Sequence, residues 1–204
     1  MRASGSMAAI MQTQAAFRQS PCVAAGPRGF SLVELLVVTA IAAVVMALAV
    51  PSMAAMLVNQ RVGAYASALM VSLQLARNDA VTRGGNTVVC KSLDGVLCVS
   101  DGGWEQGWIV FDDANHDAQR SPHEHLLARQ DAAPVGLSVR GNTPVARYVS
   151  YNALGSTRLV SGALQAGTFT VCTVQPGSGT ESRQVVLAVT GRVRLQSGAA
   201  GVCP

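Results

Sequence analysis

The feature that most constrains this chain is an unbroken apolar run from Leu35 to Val50, with Thr39 as its only hydroxyl and a carboxylate, Glu34, at its mouth. Extended to Val58, the run exceeds the ~20 residues that a helix needs to cross a bilayer. Arg18 and Arg28 precede it, and after Glu34 no charge appears until Arg61. The positive-inside rule therefore predicts a cytoplasmic N-terminus and places everything beyond Asn59 on the far side. A secretory signal fits less well, because its apolar region runs only ~7–15 residues and ends at a small-x-small cleavage site that is not evident here. A plain membrane anchor leaves Glu34 unexplained. A carboxylate entering hydrocarbon costs on the order of 2–3 kcal/mol or more, so it implies a partner.

Beyond Pro51 the pattern turns amphipathic. Val58, Val62, Tyr65, Leu69, Leu73, Ala76 and Ala80 recur at steps of three and four, one face of a helix. The spacing predicts a helix from about Phe30 to Thr82, stopped by Gly84 and Gly85. From Asn86 the signals are β. Short β-branched segments are predicted at Thr87–Lys91, Gly95–Val99, Trp108–Phe111, Leu126–Arg129, Gly136–Arg140, Arg147–Tyr151, Phe169–Val174, Gln184–Val189 and Arg192–Leu195, separated by Gly, Pro, Asn and Asp. The class is α+β, one long helix on antiparallel sheet. Half of the residues are hydrophobic and 13% are charged, which excludes disorder and a coiled coil. Aromatics are 4%, so Val, Leu and Ala are expected to build most of the core. A net charge of +4 excludes a histone-like wrapper but not a local basic patch.

The segment Gly29-Phe30-Ser31-Leu32-Val33-Glu34, the apolar run behind it and Pro51 together resemble the N-terminal signal of type IV pilins and type II secretion pseudopilins. The resemblance implies cleavage after Gly29 by a prepilin peptidase and methylation of the new terminal Phe30. It implies that Glu34 meets the terminal amine of a neighbouring subunit. Leu75 to Cys90 and Trp104 to Asp117 are similar to the GspH/FimT-type branch of minor pilins. The expected organisation is a leader over 1–29 (shorter if Met7 or Met11 is the start), a transmembrane or filament-core helix over 30–52, its amphipathic continuation over 53–85, and a periplasmic β-rich domain over 86–204. The implied partners are other major and minor pilins or pseudopilins, the prepilin peptidase and the inner membrane.

Of five cysteines, Cys22 falls in that leader. Cys90, Cys98, Cys172 and Cys203 remain, an even number for an oxidising periplasm. Three pairings are open. Cys90–Cys98, closing a short hairpin, and Cys172–Cys203, pinning the C-terminal tail, are favoured. Zinc would want closer spacing than these four offer. Asp113, Asn115, Asp117 and Glu124 stand at ligand positions of a calcium loop, but Ala118 occupies the place of the turn glycine. The competing reading is an acidic turn whose side chains cap backbone amides. His116, His123 and His125 read as a solvated loop. No cofactor and no catalytic constellation is expected; Gly177-Ser178-Gly179 reads as a turn rather than a phosphate cradle.

The charge is unevenly spread. Residues 77–131 carry nine acids against five bases, and residues 132–204 carry six arginines against Glu181 alone. Thr190-Gly191 reads as a turn into Arg192-Val193-Arg194-Leu195, where alternation puts both guanidiniums on one face. Gly191-Arg192-Val193-Arg194 also resembles a motif of FimT-type minor pilins, a branch linked to DNA binding and natural transformation. The resemblance implies non-specific contact with double-stranded DNA through Arg192 and Arg194; the basic surplus of residues 132–204 adds Arg183, Arg158, Arg140 and Arg147 as further candidates. Charges on an outward strand also blunt edge pairing, which is the competing explanation. A GspH-like role in type II secretion is the alternative function.

Overall fold

A computed structural model describes residues 29–173, 182–198 and 203. The leader to Arg28 with Cys22, Val174 and the Gly177-Ser178-Gly179 turn lie outside the described residues. The chain divides into two units, one through Val45 and one from Met46. A single helix, α1 (Leu32–Arg83), contributes to both.

In the first unit the helix is exposed along its length. Phe30 is 82% exposed, and Leu36, Ile41 and Val44 are likewise uncovered. Leu32–Val50 is long and apolar enough to cross a membrane. Thr39 satisfies its hydroxyl inside the helix, donating to the carbonyls of Leu35 and Leu36 at 3.0 Å.

In the second unit α1 buries one stripe: Val62, Tyr65, Ala66, Leu69, Leu73, Ala76 and Ala80, each 6% exposed or less. The helix ends because Gly84 adopts a left-handed conformation (φ 67°) and Gly85 donates back to the Ala80 carbonyl at 3.2 Å. That closure satisfies carbonyls which the last turn would otherwise leave orphaned.

Eight strands form two antiparallel sheets. They are β1 (Thr87–Lys91), β2 (Trp108–Asp112), β3 (Leu126–Gln130), β4 (Leu137–Gly141), β5 (Tyr148–Tyr151), β6 (Gly167–Thr173), β7 (Arg183–Leu187) and β8 (Val193–Ser197). The orders are β3-β2-β1-β5 and β4-β6-β7-β8. The α1 stripe, the inner residues of both sheets and Trp104 make one core. The few aromatics concentrate at its centre. Tyr65 meets Trp108 edge-on at 5.1 Å, and Trp104 meets Phe169 in the same way at 5.1 Å. Trp104 also donates its indole N–H to the Val145 carbonyl at 3.0 Å. Val, Leu and Ala therefore surround an aromatic centre rather than replace it.

The first sheet is covered on its other face too. Val88, Cys90, Ile109, Phe111 and Ala118 form a second apolar cluster there, so all of β1 is buried. Cys90 is bonded to Cys98 (Cα–Cα 5.6 Å) and Cys172 to Cys203 (5.7 Å).

One predicted strand is absent. Gly95–Val99 is a loop. The Asp94 carboxylate accepts the Val96 and Leu97 amides at 2.8 and 2.9 Å, and Gly95 is left-handed (φ 71°), so the local side chain captures donors that a ladder would need. Lys91, the chain's lone lysine, holds the loop's return by donating to the Ser100 and Gly102 carbonyls at 2.8 Å.

Leu73→Ala should destabilise the domain by about 2–5 kcal/mol through reduced burial and a residual cavity, read by denaturant unfolding. A second expectation concerns Arg83, which pairs with both Asp79 and Asp112. Burial pushes the Asp112 carboxyl up, but the Arg83 guanidinium and the His125 amide outweigh it, and the net direction is down from 3.8. Ionised Asp112 thus stabilises the fold fully above that ordinary value, and the contribution is lost as pH falls through the lower folded value. Asp112→Asn should flatten the acid limb of the stability–pH curve below about pH 4; an unchanged limb would remove Asp112 from the linkage.

Candidate functional site

β8 is an edge strand that carries Arg194, and the turn that leads into it carries Arg192. The turn closes with Gly191 donating to the Ala188 carbonyl at 2.8 Å and Ala188 donating to the Arg192 carbonyl at 2.9 Å. Register pairs Leu187 with Val193, Val186 with Arg194 and Val185 with Leu195. Paired residues share a face. Val193 therefore turns inward with Leu187 and packs on the core, and Arg194 turns outward with Val186. Leu195 follows the inward parity of its fully buried partner Val185 but, on the edge strand, stays 38% exposed. Arg192 and Arg194 are exposed, and neither guanidinium makes a hydrogen bond or ion pair among the described residues.

What holds this turn is a contact between two glycines. Gly191 is left-handed (φ 75°), and a β-carbon on it would fall 1.9 Å from the Gly155 carbonyl oxygen and 3.0 Å from the Tyr151 ring. Gly155 is also left-handed (φ 71°), and a β-carbon there would meet Val81 of α1 at 2.9 Å and Arg77 Nε at 3.0 Å. Arg77 Nε donates to that same Gly155 oxygen at 3.0 Å. From the other side, the Thr157 amide donates to the Val189 carbonyl at 3.0 Å, and its hydroxyl reaches the Gln165 carbonyl at 2.6 Å. Tyr151 is fully buried below, its hydroxyl without a hydrogen-bond partner among the described residues, and burial raises its phenol pKa while the nearby Arg77 opposes the shift.

The other arginines named from sequence fare differently. Arg158 follows Thr157, so it is brought to the same end of the domain, with Nη1 on the Gly162 carbonyl at 3.1 Å. Arg183 sits at the far end of the β7–β8 ribbon, paired with Ser197, whose hydroxyl accepts its Nη1 at 2.8 Å. Its parity is that of Val185, not of Arg194, so the structure does not group it with the turn. Arg140 is ion-paired with Glu105 at 3.1 Å. Arg147 is exposed beside Tyr148 and Leu159, in a separate groove. Sequence reasoning missed Arg77 and Gly155. Nothing in a helical repeat marks Arg77 as the partner of a loop 78 residues on.

The acidic loop spends its carboxylates on itself. Asp113 accepts the Asp117 and Ala118 amides at 3.1 Å, and Glu124 accepts those of Ala114 and Ser121 at 3.0 and 2.8 Å. Asn115 and Asp117 cap Asp117 and Gln119. His116 and Ala118 take left-handed conformations (φ 64° and 56°) to allow it. Burial raises the Asp113 pKa. No group of three or more His, Cys, Asp or Glu side chains placed to hold a metal ion occurs among the described residues.

At the other end, Glu34 is exposed and unpartnered among the described residues, one turn from Phe30.

A family model described as type II transport protein GspH matches residues 65–191, more than half of the sequence. The chain belongs to the GspH family. A second model, the prokaryotic N-terminal methylation motif, matches residues 26–50 and so includes Gly29, Phe30 and Glu34. Among solved structures, the type IV minor pilin FimU of Pseudomonas aeruginosa is similar at TM-score 0.52 and 19% identity, over 70% of this chain and 96% of that one. A second crystal form of FimU gives 0.50 and 20%, over 68% and 98%. The minor pseudopilin EpsH of the Vibrio cholerae type 2 secretion system gives 0.46 and 14%, over 67% and 97%. No curated protein matches the sequence. The likeness to FimU establishes a pilin-like fold for this GspH-family chain.

The two-glycine contact permits a comparison. Gly162 is left-handed too (φ 83°), but a β-carbon there meets nothing within 4 Å. Gly162→Ala should cost about 1–2 kcal/mol for the backbone alone. Gly191→Ala should lower the melting temperature clearly further, since its methyl also collides with Gly155.

Proposed function

We propose that this chain is a minor pilin, anchored in the inner membrane with its β-rich domain in the periplasm, and that its β7–β8 turn contacts double-stranded DNA during uptake. The observation that carries the DNA reading is the pair Arg192 and Arg194. Both lie at an edge strand, both are exposed, and neither is paired within the described residues. The planar guanidinium fork donates two parallel hydrogen bonds to phosphate oxygens. The backbone at Gly191 is already fixed by its contact with Gly155, so binding has only the side-chain rotamers left to order. Arg158 is the candidate auxiliary contact. Arg183, engaged with Ser197 at the ribbon's other end, is dropped from the site.

Assembly rests on the N-terminal segment. Prepilin peptidase cleaves after Gly29, the new Phe30 amine is methylated, and Glu34 neutralises the amine of a neighbouring subunit. The exposed apolar surface from Phe30 to Val50 supports this reading, because such a surface is stable only in lipid or against other apolar helices. Other pilins are the partners. The family description favours a second reading, a pseudopilin of type II secretion, in which the same helix serves a different filament.

Deleting the gene and scoring piliation, transformation and exoprotein secretion together separates the two. Loss of transformation with secretion intact supports the pilus, and the reverse supports the pseudopilus. Glu34→Ala should insert normally yet fail to enter filaments; normal incorporation would end the role given to Glu34. For DNA, a mobility shift with full-length protein in detergent should show salt-sensitive binding. Arg192→Gln/Arg194→Gln should lower the log–log salt slope by roughly 0.9 for each phosphate that is no longer neutralised. Equal binding by a folded double variant would exclude these arginines.

A further inference from the structure

We propose that Arg77 of α1 is a third cation of the same phosphate-binding surface, locked beside Arg192 through the Gly155 carbonyl. The inference rests on the DNA reading above and adds a residue that lies more than a hundred positions away in sequence.

The geometry is a shared atom. The Gly155 oxygen is in contact with Gly191, so close that a β-carbon on Gly191 would overlap it, and the same oxygen accepts Arg77 Nε at 3.0 Å. Arg77 therefore reaches the turn through one intervening atom. The Nε bond uses one of five guanidinium N–H donors. It fixes the plane of the group while both terminal nitrogens make no hydrogen bond or ion pair among the described residues. The acid nearest in sequence, Asp79, is occupied by Arg83 and Thr87. Arg77 is half-buried, so its charge is held in place rather than swept through solvent.

An arginine kept only to brace a loop would be expected to spend its remaining donors on neighbouring carbonyls, as Arg120 does on Val96 and Glu124 at 3.1 Å. Arg77 instead presents two unspent nitrogens beside a turn whose next residue is another unpaired arginine. One guanidinium, that of Arg77, is held on the Gly155 carbonyl, and the same carbonyl fixes the backbone at Gly191 from which Arg192 extends, so cations from two elements stand at one turn where successive phosphodiesters can meet them. Both glycines are then explained: any side chain at 155 or 191 would push α1 and the turn apart and separate the cations.

The test uses full-length protein in detergent, a short fluorescent DNA duplex and binding measured across a salt series. The variants are Arg77→Gln, Arg77→Lys, Arg192→Gln/Arg194→Gln and the triple change Arg77→Gln/Arg192→Gln/Arg194→Gln, each checked by thermal melt and measured well below its transition. Arg77→Gln should weaken binding several-fold and reduce the log–log salt slope by about 0.9, the signature of one phosphate fewer neutralised. Arg77→Lys, which keeps the charge without the planar fork, should retain the slope. The triple variant should bind more weakly than the double. An Arg77→Gln slope equal to wild type, an Arg77→Lys slope as low as that of Arg77→Gln, or a triple variant no weaker than the double would overturn the role of Arg77 and leave the Arg192–Arg194 site standing. Absence of wild-type binding at low salt would instead overturn the DNA reading and this proposal with it.

Discussion

Val62, Ala66, Leu69, Leu73, Ala76 and Ala80 of α1 have almost no contact with water because two sheets that share no strand both close over them. The apolar face that each sheet turns inward needs a partner, and here the second half of the helix is the partner for both, while the first sheet's other face has its own apolar cluster. The small residues in the stripe let the sheets approach, and the Tyr65–Trp108 and Trp104–Phe169 contacts fill the space between them. Every other element is placed by reference to this seam. The turn of β7 and β8 reaches Arg77 only because β7 lies in a sheet that packs on the same helix.

The same arrangement sorts the charges. On the acidic segment two arginines are paired locally: Arg83 with Asp79 and Asp112, and Arg129 with Asp131 two residues on, at 3.9 Å. Glu105 reaches across to Arg140 and takes it out of the basic surplus. Of the six arginines of residues 132–204, Arg147, Arg192 and Arg194 have guanidiniums without a hydrogen bond or ion pair among the described residues. Exposed ion pairs contribute little to stability, so this sorting is better read as shaping a surface field than as holding the fold.

The helix and most of the β segments beyond it needed only periodicity and turn residues to be read, because those signals are local. α1 runs Leu32–Arg83 against an expected Phe30–Thr82, its end set by the Gly84-Gly85 pair. The β7 and β8 segments lie where they were expected, displaced by one or two residues. Gly95–Val99 was misread because β-branched composition said strand while Asp94, a single side chain, captured the amides. The candidate site was half legible. Alternation put Arg192 and Arg194 on one face. It could not place Arg183, whose parity depends on the register of its partner strand, nor join Arg77 to Gly155, a contact that exists only once both sheets have packed.

Edge-strand arginines have a standing explanation in protection against edge-to-edge pairing, and β8 is such an edge. Protection alone, however, asks for no particular orientation. Nor does protection require the turn before the strand to be held by a carbonyl shared between a helix and a left-handed glycine. The family match ends at Gly191, the last residue of that clamp, with Arg192 and Arg194 immediately beyond it. The matched region covers Arg77, Gly155 and Gly191, the residues of the clamp. A planar cation on a fixed mount is pre-organised for a ligand with spaced oxygens, and that is the physical ground for reading the edge as a phosphate-facing surface rather than as a guard.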